Sequence, residues 1–199
     1  MEIPHAIREK SEELEKTLSE KCPALSGMIG QCYRSTAETT LQEDELGVFV
    51  ITGDIPAMWL RDSAGQAAHY VELAAQSEEV RTLIRGILAR QCEEVCIDPY
   101  ANAFNHGPNG RSFDPSDESD RKSPWVWERK FELDSLCAPL TLASDYYDAT
   151  GDDGIFTTNF HRMLETAVKV CRTEQDHAGS PYYFRRNSKL VTELSLIHI

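Results

Sequence analysis

Residues 52–66, TGDIPAMWLRDSAGQ, hold the side chains best suited to bind a polar ligand. An arginine followed by an aspartate could grip adjacent sugar hydroxyls, because a guanidinium donates hydrogen bonds and a carboxylate accepts them. A nearby tryptophan offers a flat apolar face. The candidate binding residues are Asp54, Trp59, Arg61 and Asp62. The same spacing fits a helix cap at Asp62 or Ser63 beside a buried Arg–Asp pair, and the residues alone favour neither interpretation.

Residues 98–105, DPYANAFN, form a second candidate segment. It directly follows the most regular apolar pattern of the chain, so it lies at the end of a predicted helix. Asn102 and Asn105 could both point into a cleft. Asparagine and aspartate around a proline are also ordinary turn residues, and the residues alone favour a turn.

Residues 125–137, WVWERKFELDSLC, place three carboxylates near two tryptophans: Glu128, Glu132 and Asp134. A carboxyl group against an aromatic wall can have a raised pKa, as a general acid requires. Acids in the first turn of a helix are also common, since the helix dipole favours them there. The motif therefore fits a general acid or the start of a helix.

The charge of the chain argues against some classes of partner. Its 33 acidic and 20 basic residues give a net charge of -13 and a pI near 4.9. Such a surface repels phosphate backbones and anionic lipid, so we expect no nucleic-acid or membrane partner. The sequence has no apolar stretch of transmembrane length and no secretory signal, so the expected location is cytoplasmic.

The sequence carries no convincing metal or cofactor motif. Its histidines are scattered, and Cys92 and Cys96 would supply only half of a zinc site. The serine-hydrolase pattern Gly-x-Ser-x-Gly and the P-loop pattern Gly-x-x-x-x-Gly-Lys are both missing. We therefore expect neither a metal nor a cofactor.

The elements that must position these segments are mostly helices. Apolar residues recur every three or four positions in stretches that predict helices near residues 7–18, 23–33, 77–95, 139–150 and 153–171. Extended backbone is predicted at 48–52, and a short β hairpin from 182–184 and 190–191. Residues 105–124 form a long polar loop, of a length typical of disordered or functional segments. Helices in successive antiparallel pairs, with functional loops at one end, fit this order.

Local signals set the expected ends of two helices. Ser77 precedes two glutamates and predicts an N-cap. Pro139 is best placed in the first turn of the fourth helix. Gly151 is expected to end that helix.

Four blocks of the chain, taken in order, resemble glycoside hydrolase family 125, the metal-independent exo-α-1,6-mannosidases. The blocks are TGDIPAMWLRDS, DPYANAFN, WERKFELDSLC and TEQDHAGSPYYFRR, and the resemblance runs from about residue 32 to about residue 186. It implies a mostly α fold, an (α/α)6 barrel. It also implies hydrolysis of terminal α-1,6-linked mannose from an oligosaccharide or glycan, with inversion at the anomeric carbon and without a metal.

The resemblance also implies which residues line the pocket for the terminal mannose. They are Asp54, Trp59, Arg61, Asp62, Asn102, Asn105, Glu128 and Asp134. The family's catalytic acid is expected in a Trp-Ser-x-Phe-Arg-Pro-Ser-Asp-Asp block after Arg186, and its base much later. This sequence contains neither block, so we expect no catalytic residue in it.

Residues 1–199 are therefore expected to be about the N-terminal half of a glycosidase domain, inactive by itself, with an artefactual tail over residues 194–199. Two alternatives remain open. One is a short protein that binds sugar without cleaving it. The other is a different (α/α)6 enzyme that acts on glucans.

Overall fold

The computed structural model describes residues 2–187, and helices dominate this part of the chain. The α-helices are α1 (His5–Lys21), α2 (Met28–Thr39), α3 (Leu60–Ala68), α4 (Val71–Ala74), α5 (Glu78–Ile97), α6 (Leu133–Thr150) and α7 (Thr158–Glu174). The strands are β1 (Leu41–Asp44), β2 (Gly47–Val50), β3 (Met58–Trp59), β4 (Ala103–Phe104), β5 (Glu118–Ser119), β6 (Val126–Glu128) and β7 (Phe184–Arg185). Short 3-10 turns lie at Pro23–Leu25, Asp153–Ile155 and His177–Gly179. The predicted mainly helical class is confirmed.

The helices pack against one another in pairs. α3 lies against α6, and α5 lies against α7, while α1 packs on α2. The described residues are consistent with about half of an (α/α)6 barrel, the fold that the resemblance implied.

The centre of the hydrophobic core is α5. Its buried apolar residues recur every three or four positions, as predicted: Val80, Leu83, Ile84, Ile87, Leu88 and Val95. Ser77 Oγ accepts a hydrogen bond from the Val80 amide at 3.4 Å, which confirms the predicted N-cap. The β1–β2 hairpin packs on the same helix so closely that a Cβ at Gly47 would lie 2.4 Å from the Gly86 carbonyl oxygen.

A fully buried arginine, Arg90 of α5, joins three parts of the fold. Its Nε donates to Glu94 Oε1 at 2.9 Å, and its Nη1 donates to Asp44 Oδ2 of the hairpin at 2.8 Å. Its Nη2 donates to the carbonyl oxygens of Asn105 and His106 at 3.3 and 2.7 Å. Arg90 thereby fixes the loop after β4 to α5 and to the hairpin.

The start of α6 differs from the sequence prediction. The helix begins at Leu133, and Pro139 is buried within it rather than in its first turn. A proline inside a helix costs about 3 kcal/mol, and the burial of the Leu136, Leu142 and Tyr146 side chains along one face offsets this. Gly151 ends the helix with φ 65°, as predicted.

The helix predicted over residues 153–171 is divided in two. A 3-10 turn comes first, and α7 begins at Thr158 because Thr157 Oγ1 accepts from the Phe160 amide at 3.2 Å. The segment after α7 does form a strand, but β7 pairs with β5 from the long polar loop. The predicted partners Leu190 and Val191 lie outside the described residues.

Candidate functional site

A three-stranded antiparallel sheet, β3–β4–β6, brings the three candidate segments together. Its register places Trp59 opposite Ala103, and Ala103 opposite Glu128. Backbone hydrogen bonds extend the pairing at the edge, since Leu60 N donates to Asn102 O at 3.1 Å and Asn102 N donates to Glu128 O at 3.2 Å. The sheet therefore aligns the start of α3 with the residues that precede α6.

A β-bulge in β6 sets the direction of Glu128. Phe104 pairs with Val126 and the preceding Ala103 pairs with Glu128, so Trp127 is an extra residue with no partner in the register. A bulge bends its strand and re-aims the side chains that follow it. Glu128 consequently lies beside Asn102 of the second segment, and Asn102 Nδ2 donates to Glu128 Oε2 at 2.6 Å.

Arg61, in the first turn of α3, gathers three carboxylates. Its Nη1 donates to Glu132 Oε2 and to Asp134 Oδ2, each at 3.1 Å, and its Nη2 lies 3.1 Å from Asp62 Oδ2. Burial opposes the charge of Arg61, but the hydrogen bond to Asp134 and the charges of Asp62 and Glu132 raise its pKa overall. The guanidinium therefore stays charged and holds the first and third segments together.

One carboxylate oxygen of this cluster is unsatisfied. Asp134 Oδ1 is buried and has no hydrogen-bond partner among the described residues. A buried acceptor without a partner costs about 1–3 kcal/mol, so a hydroxyl that donates to it would be bound favourably. Trp59, half-buried against the apolar cluster of Ala57, Ala103 and Trp127, adds an apolar surface at the start of α3.

Glu128 is a buried carboxylate whose two oxygens are both engaged. Asn102 donates to one of them, and Arg186, near the end of the described residues, forms an ion pair with the other. Arg186 also lies 3.3 Å from Asp117 of the long loop and stacks 4.8 Å from the Phe113 ring. Glu128 and Asn102 form a second polar cluster, which the sheet register connects to the Arg61 cluster.

Two of the predicted pocket residues join neither cluster. The Asn105 side chain donates to the carbonyl oxygens of Arg111 and Pro124 at 2.9 and 3.1 Å, so it stabilises the loop, in agreement with the turn interpretation. Asp54 is exposed in the bend before β3 and shares no hydrogen bond or ion pair with either cluster. Trp59, Arg61, Asp62, Asn102, Glu128 and Asp134 are brought together as described above.

The alternative of a helix cap at Asp62 or Ser63 is wrong. The N-cap position of α3 is Trp59, and no side chain caps it. Ser63 Oγ instead donates back to Leu60 O at 3.0 Å. The Arg61–Asp62 pair exists, but both side chains are partly exposed rather than buried.

Two residues of the site were absent from the predicted pocket. Glu132 is the more deeply buried of the two α6-end partners of Arg61, and the pattern contained a signal for it, an acid two residues before Asp134. Arg186 closes the Glu128 cluster from more than fifty residues away, and no local pattern indicates that contact.

The long polar loop is held in place by its acids. Asp120 Oδ1 accepts from Arg129 Nη1, and Asp117 pairs with Arg186. Arg129 also donates to Asp98 Oδ2 at 2.7 Å, so the loop is fixed to the end of α5. The loop therefore forms one wall beside the Glu128 cluster.

The part of the chain that the structure describes contains no group of three histidine, cysteine, aspartate or glutamate side chains arranged to hold a metal. Cys92 is buried in the core, and burial raises the pKa of its thiol to about 12. Over residues 2–187, no helix is both long enough and apolar enough to cross a membrane.

The sequence and the fold were compared with known proteins. Residues 23–197 match the family described as metal-independent α-mannosidase (GH125). The meiotically up-regulated gene 157 protein of Schizosaccharomyces pombe is 35% identical over 191 residues, which cover 85% of this chain and 37% of that protein. A solved structure from work on metal-independent α-mannosidases, a Streptococcus pneumoniae non-productive complex with α-1,6-mannobiose, has a TM-score of 0.86 and 37% sequence identity.

The structural similarity covers 92% of this chain and 43% of the Streptococcus chain. This chain thus spans about two fifths of the length of either relative. The four blocks, the mainly helical fold and the family match agree over most of the chain. The chain belongs to the metal-independent α-mannosidase family GH125.

Proposed function

We propose that this chain is part of an inverting exo-α-1,6-mannosidase and supplies a share of its pocket for the terminal mannose. The observation that carries the proposal is the Arg61 cluster, where one guanidinium holds three carboxylates and leaves Asp134 Oδ1 without a partner. Carboxylate acceptors and a guanidinium beside an aromatic face suit an uncharged sugar, whose hydroxyls both donate and accept. The α-1,6-mannobiose bound to the Streptococcus protein supports the choice of sugar and linkage.

We propose further that the chain by itself does not hydrolyse the glycosidic bond. An inverting glycosidase uses one carboxyl group to protonate the leaving oxygen and a second, about 6.5–9.5 Å away, to activate water. Glu128, Glu132 and Asp134 are each held in an ion pair with an arginine, which suits a carboxylate that binds rather than one that transfers a proton. The acid and the base would then come from segments that this sequence does not contain.

The proposal treats residues 1–199 as a partial barrel domain. It is supported by apolar side chains that are exposed on α6 and α7, where further helices of a ring would pack. Leu133 of α6 is 54% exposed and Val168 of α7 is 42% exposed, and Leu164 lies one turn before Val168. Exposed apolar residues on adjacent helices are typical of a surface that another element covers.

The test is binding of α-1,6-mannobiose to the purified chain by isothermal titration calorimetry, with Arg61→Ala as the disrupting variant. Loss of hydrogen bonds that involve a charged group should weaken binding about 10- to 100-fold. Arg34→Ala is the matched control, because Arg34 has a similar exposure and pairs with Glu38 and Ser11, outside the Arg61 cluster. We expect the control to bind like the wild type.

Comparison sugars separate the alternatives. Tighter binding of the α-1,6-linked glucose disaccharide would favour a glucan-active enzyme. Equal binding of α-1,2-mannobiose would refute the proposed preference for the α-1,6 linkage. Binding without hydrolysis, together with an inactive longer chain, would favour a sugar-binding protein. Release of mannose by the 199-residue chain would contradict the proposed lack of catalysis, and no binding of any sugar would refute the pocket itself.

We also propose a cytoplasmic location and a partner set limited to mannose-containing oligosaccharides or glycans. Support comes from the net charge of -13, which disfavours nucleic acid and anionic lipid. Fractionation of the source cells tests the location directly.

A further inference from the structure

The segment between β6 and α6 determines how the carboxylates of the site face Arg61. Residues 129–132 have no regular secondary structure, yet they connect Glu128 to Glu132 and Asp134. Irregular backbone has two free dihedral angles per residue, so its conformation must be fixed by contacts from elsewhere. The position of Glu132 and Asp134 against Arg61 therefore depends on what holds this segment.

Two side chains hold its backbone. Asn102 Oδ1 accepts from the Lys130 amide at 3.3 Å. Tyr182 Oη accepts from the Phe131 amide at 2.8 Å and donates to the Arg129 carbonyl oxygen at 3.3 Å. The Tyr182 hydroxyl thus bridges two backbone groups on either side of Lys130.

Tyr182 is itself rigidly held. Its ring stacks on Tyr100, with centroids 4.8 Å apart and planes inclined by 6°. The Arg129 guanidinium lies 5.3 Å from the centre of the Tyr182 ring. Burial raises the pKa of Tyr182 to about 12, so at neutral pH the hydroxyl keeps the proton that it donates.

We infer that Tyr182 is a positioning residue for the sugar site, whose hydroxyl fixes the backbone of residues 129–131 and thereby aligns Glu132 and Asp134 with Arg61. The inference rests on the proposed function, because it assigns Tyr182 a role in the same pocket. Tyr182 makes no hydrogen bond to these carboxylates, so it acts through the segment and not on the sugar.

The test uses Tyr182→Phe, which removes only the hydroxyl and keeps the ring on Tyr100. Tyr183→Phe is the matched control, because Tyr183 is exposed and its hydroxyl reaches only Glu118 at 3.4 Å. We expect Tyr182→Phe to speed exchange of the Phe131 amide and to weaken binding of α-1,6-mannobiose, each about five- to tenfold. The control should change neither quantity.

If Tyr182 had only a structural role, its loss would lower stability without acting through Arg61. A double variant distinguishes this structural role from the positioning role. If Tyr182 works through the Arg61 cluster, the loss of affinity in Tyr182→Phe combined with Arg61→Ala is smaller than the product of the two separate losses. Fully multiplicative losses, or wild-type affinity in Tyr182→Phe, would overturn the inference.

A readout without sugar keeps the inference separate from the proposed function. In ¹⁵N-labelled protein, Tyr182→Phe should shift the Nε–H resonance of Arg61, while Tyr183→Phe leaves it in place. If the wild type binds no mannoside, the proposed function fails, and this resonance still decides the inference. A shift confined to Tyr182→Phe supports positioning, and an unchanged resonance refutes it.

Discussion

We expect Arg90→Met to destabilise the fold, because it removes the buried guanidinium that joins α5, the β1–β2 hairpin and the loop after β4. The change keeps a long apolar stem but leaves Glu94, which is 1% exposed, without the donor that now binds its Oε1. It also releases Asp44 and the carbonyl oxygens of Asn105 and His106. A buried acceptor that loses its donor costs about 1–3 kcal/mol, and the loss of Arg90 leaves several such acceptors, so we expect a total of about 3–5 kcal/mol.

The same substitution at an exposed arginine provides the reference for the loss of stability. Arg8 is 45% exposed on its side chain and pairs with Glu2 at 3.3 Å. Solvent-exposed pairs of this kind contribute about 0–1 kcal/mol. Arg90→Met and Arg8→Met therefore differ only in burial and in the number of groups left behind.

Urea unfolding followed by circular dichroism measures the difference. With a slope of about 2 kcal/mol/M, Arg90→Met should lower the midpoint by roughly 1.5–2.5 M, and Arg8→Met by less than about 0.5 M. The corresponding loss in Tm is roughly 6–20 °C for Arg90→Met. The slope should stay the same in both variants if only the folded state is affected.

The reasoning would be refuted if the two variants lost equal stability. A second variant tests the cause as well as the size. Arg90→Met combined with Glu94→Leu removes the buried carboxyl group that has lost its donor, so it should be more stable than Arg90→Met alone. A double variant no better than the single one would show that the buried carboxyl group is not the source of the loss.

Two further predictions use the same unfolding assay. Burial raises the pKa of Glu94 to about 8, above the value of about 4.3 in an unfolded chain. The folded chain therefore holds the Glu94 proton more tightly than the unfolded chain does. This contribution to stability is complete below about pH 4.3 and is lost as the pH rises through 8. Glu94→Gln should flatten the stability profile between about pH 4.3 and 8, and an unchanged slope would contradict the assignment. Gly47→Ala should cost about 1–3 kcal/mol, because Gly47 has φ 125° and a Cβ would meet the Gly86 carbonyl oxygen at 2.4 Å. Gly65→Ala, in α3 with no atom within 4 Å of the new Cβ, should instead gain about 0.5–1 kcal/mol, and a loss there would mean that helix propensity does not govern the site.

The helices were the most predictable part of the fold. The three-and-four spacing of α5 and the cap at Ser77 depend on residues close in the chain, so local patterns were sufficient. The start of α6 was not predictable in this way. Pro139 is a strong local signal for a helix start, and it was overridden by burial of the residues on both sides of it, which depends on the rest of the core.

The sequence indicated some of the side chains that the fold brings together, but not how they pair. The chemistry of the first and third segments pointed to Arg61 and Asp134, but their contact joins residues 73 positions apart. The predicted pocket also included side chains that have different roles in the fold. The Asn105 side-chain amide donates to two backbone carbonyl oxygens of the long loop, and these contacts depend on the path of the folded loop.

The long sequence distances within the site have a consequence for synthesis of the chain on the ribosome. About 125 residues separate Arg61 from Arg186, and a ribosome adds roughly 5–20 residues per second, so Arg186 is made roughly 6–25 s after Arg61. For the first part of that interval Arg61 is present without the carboxylates of the third segment, and Tyr182 and Arg186 follow near its end. The two polar clusters are therefore incomplete until β7 is made, so no ligand that needs both clusters can assist the folding of the earlier helices.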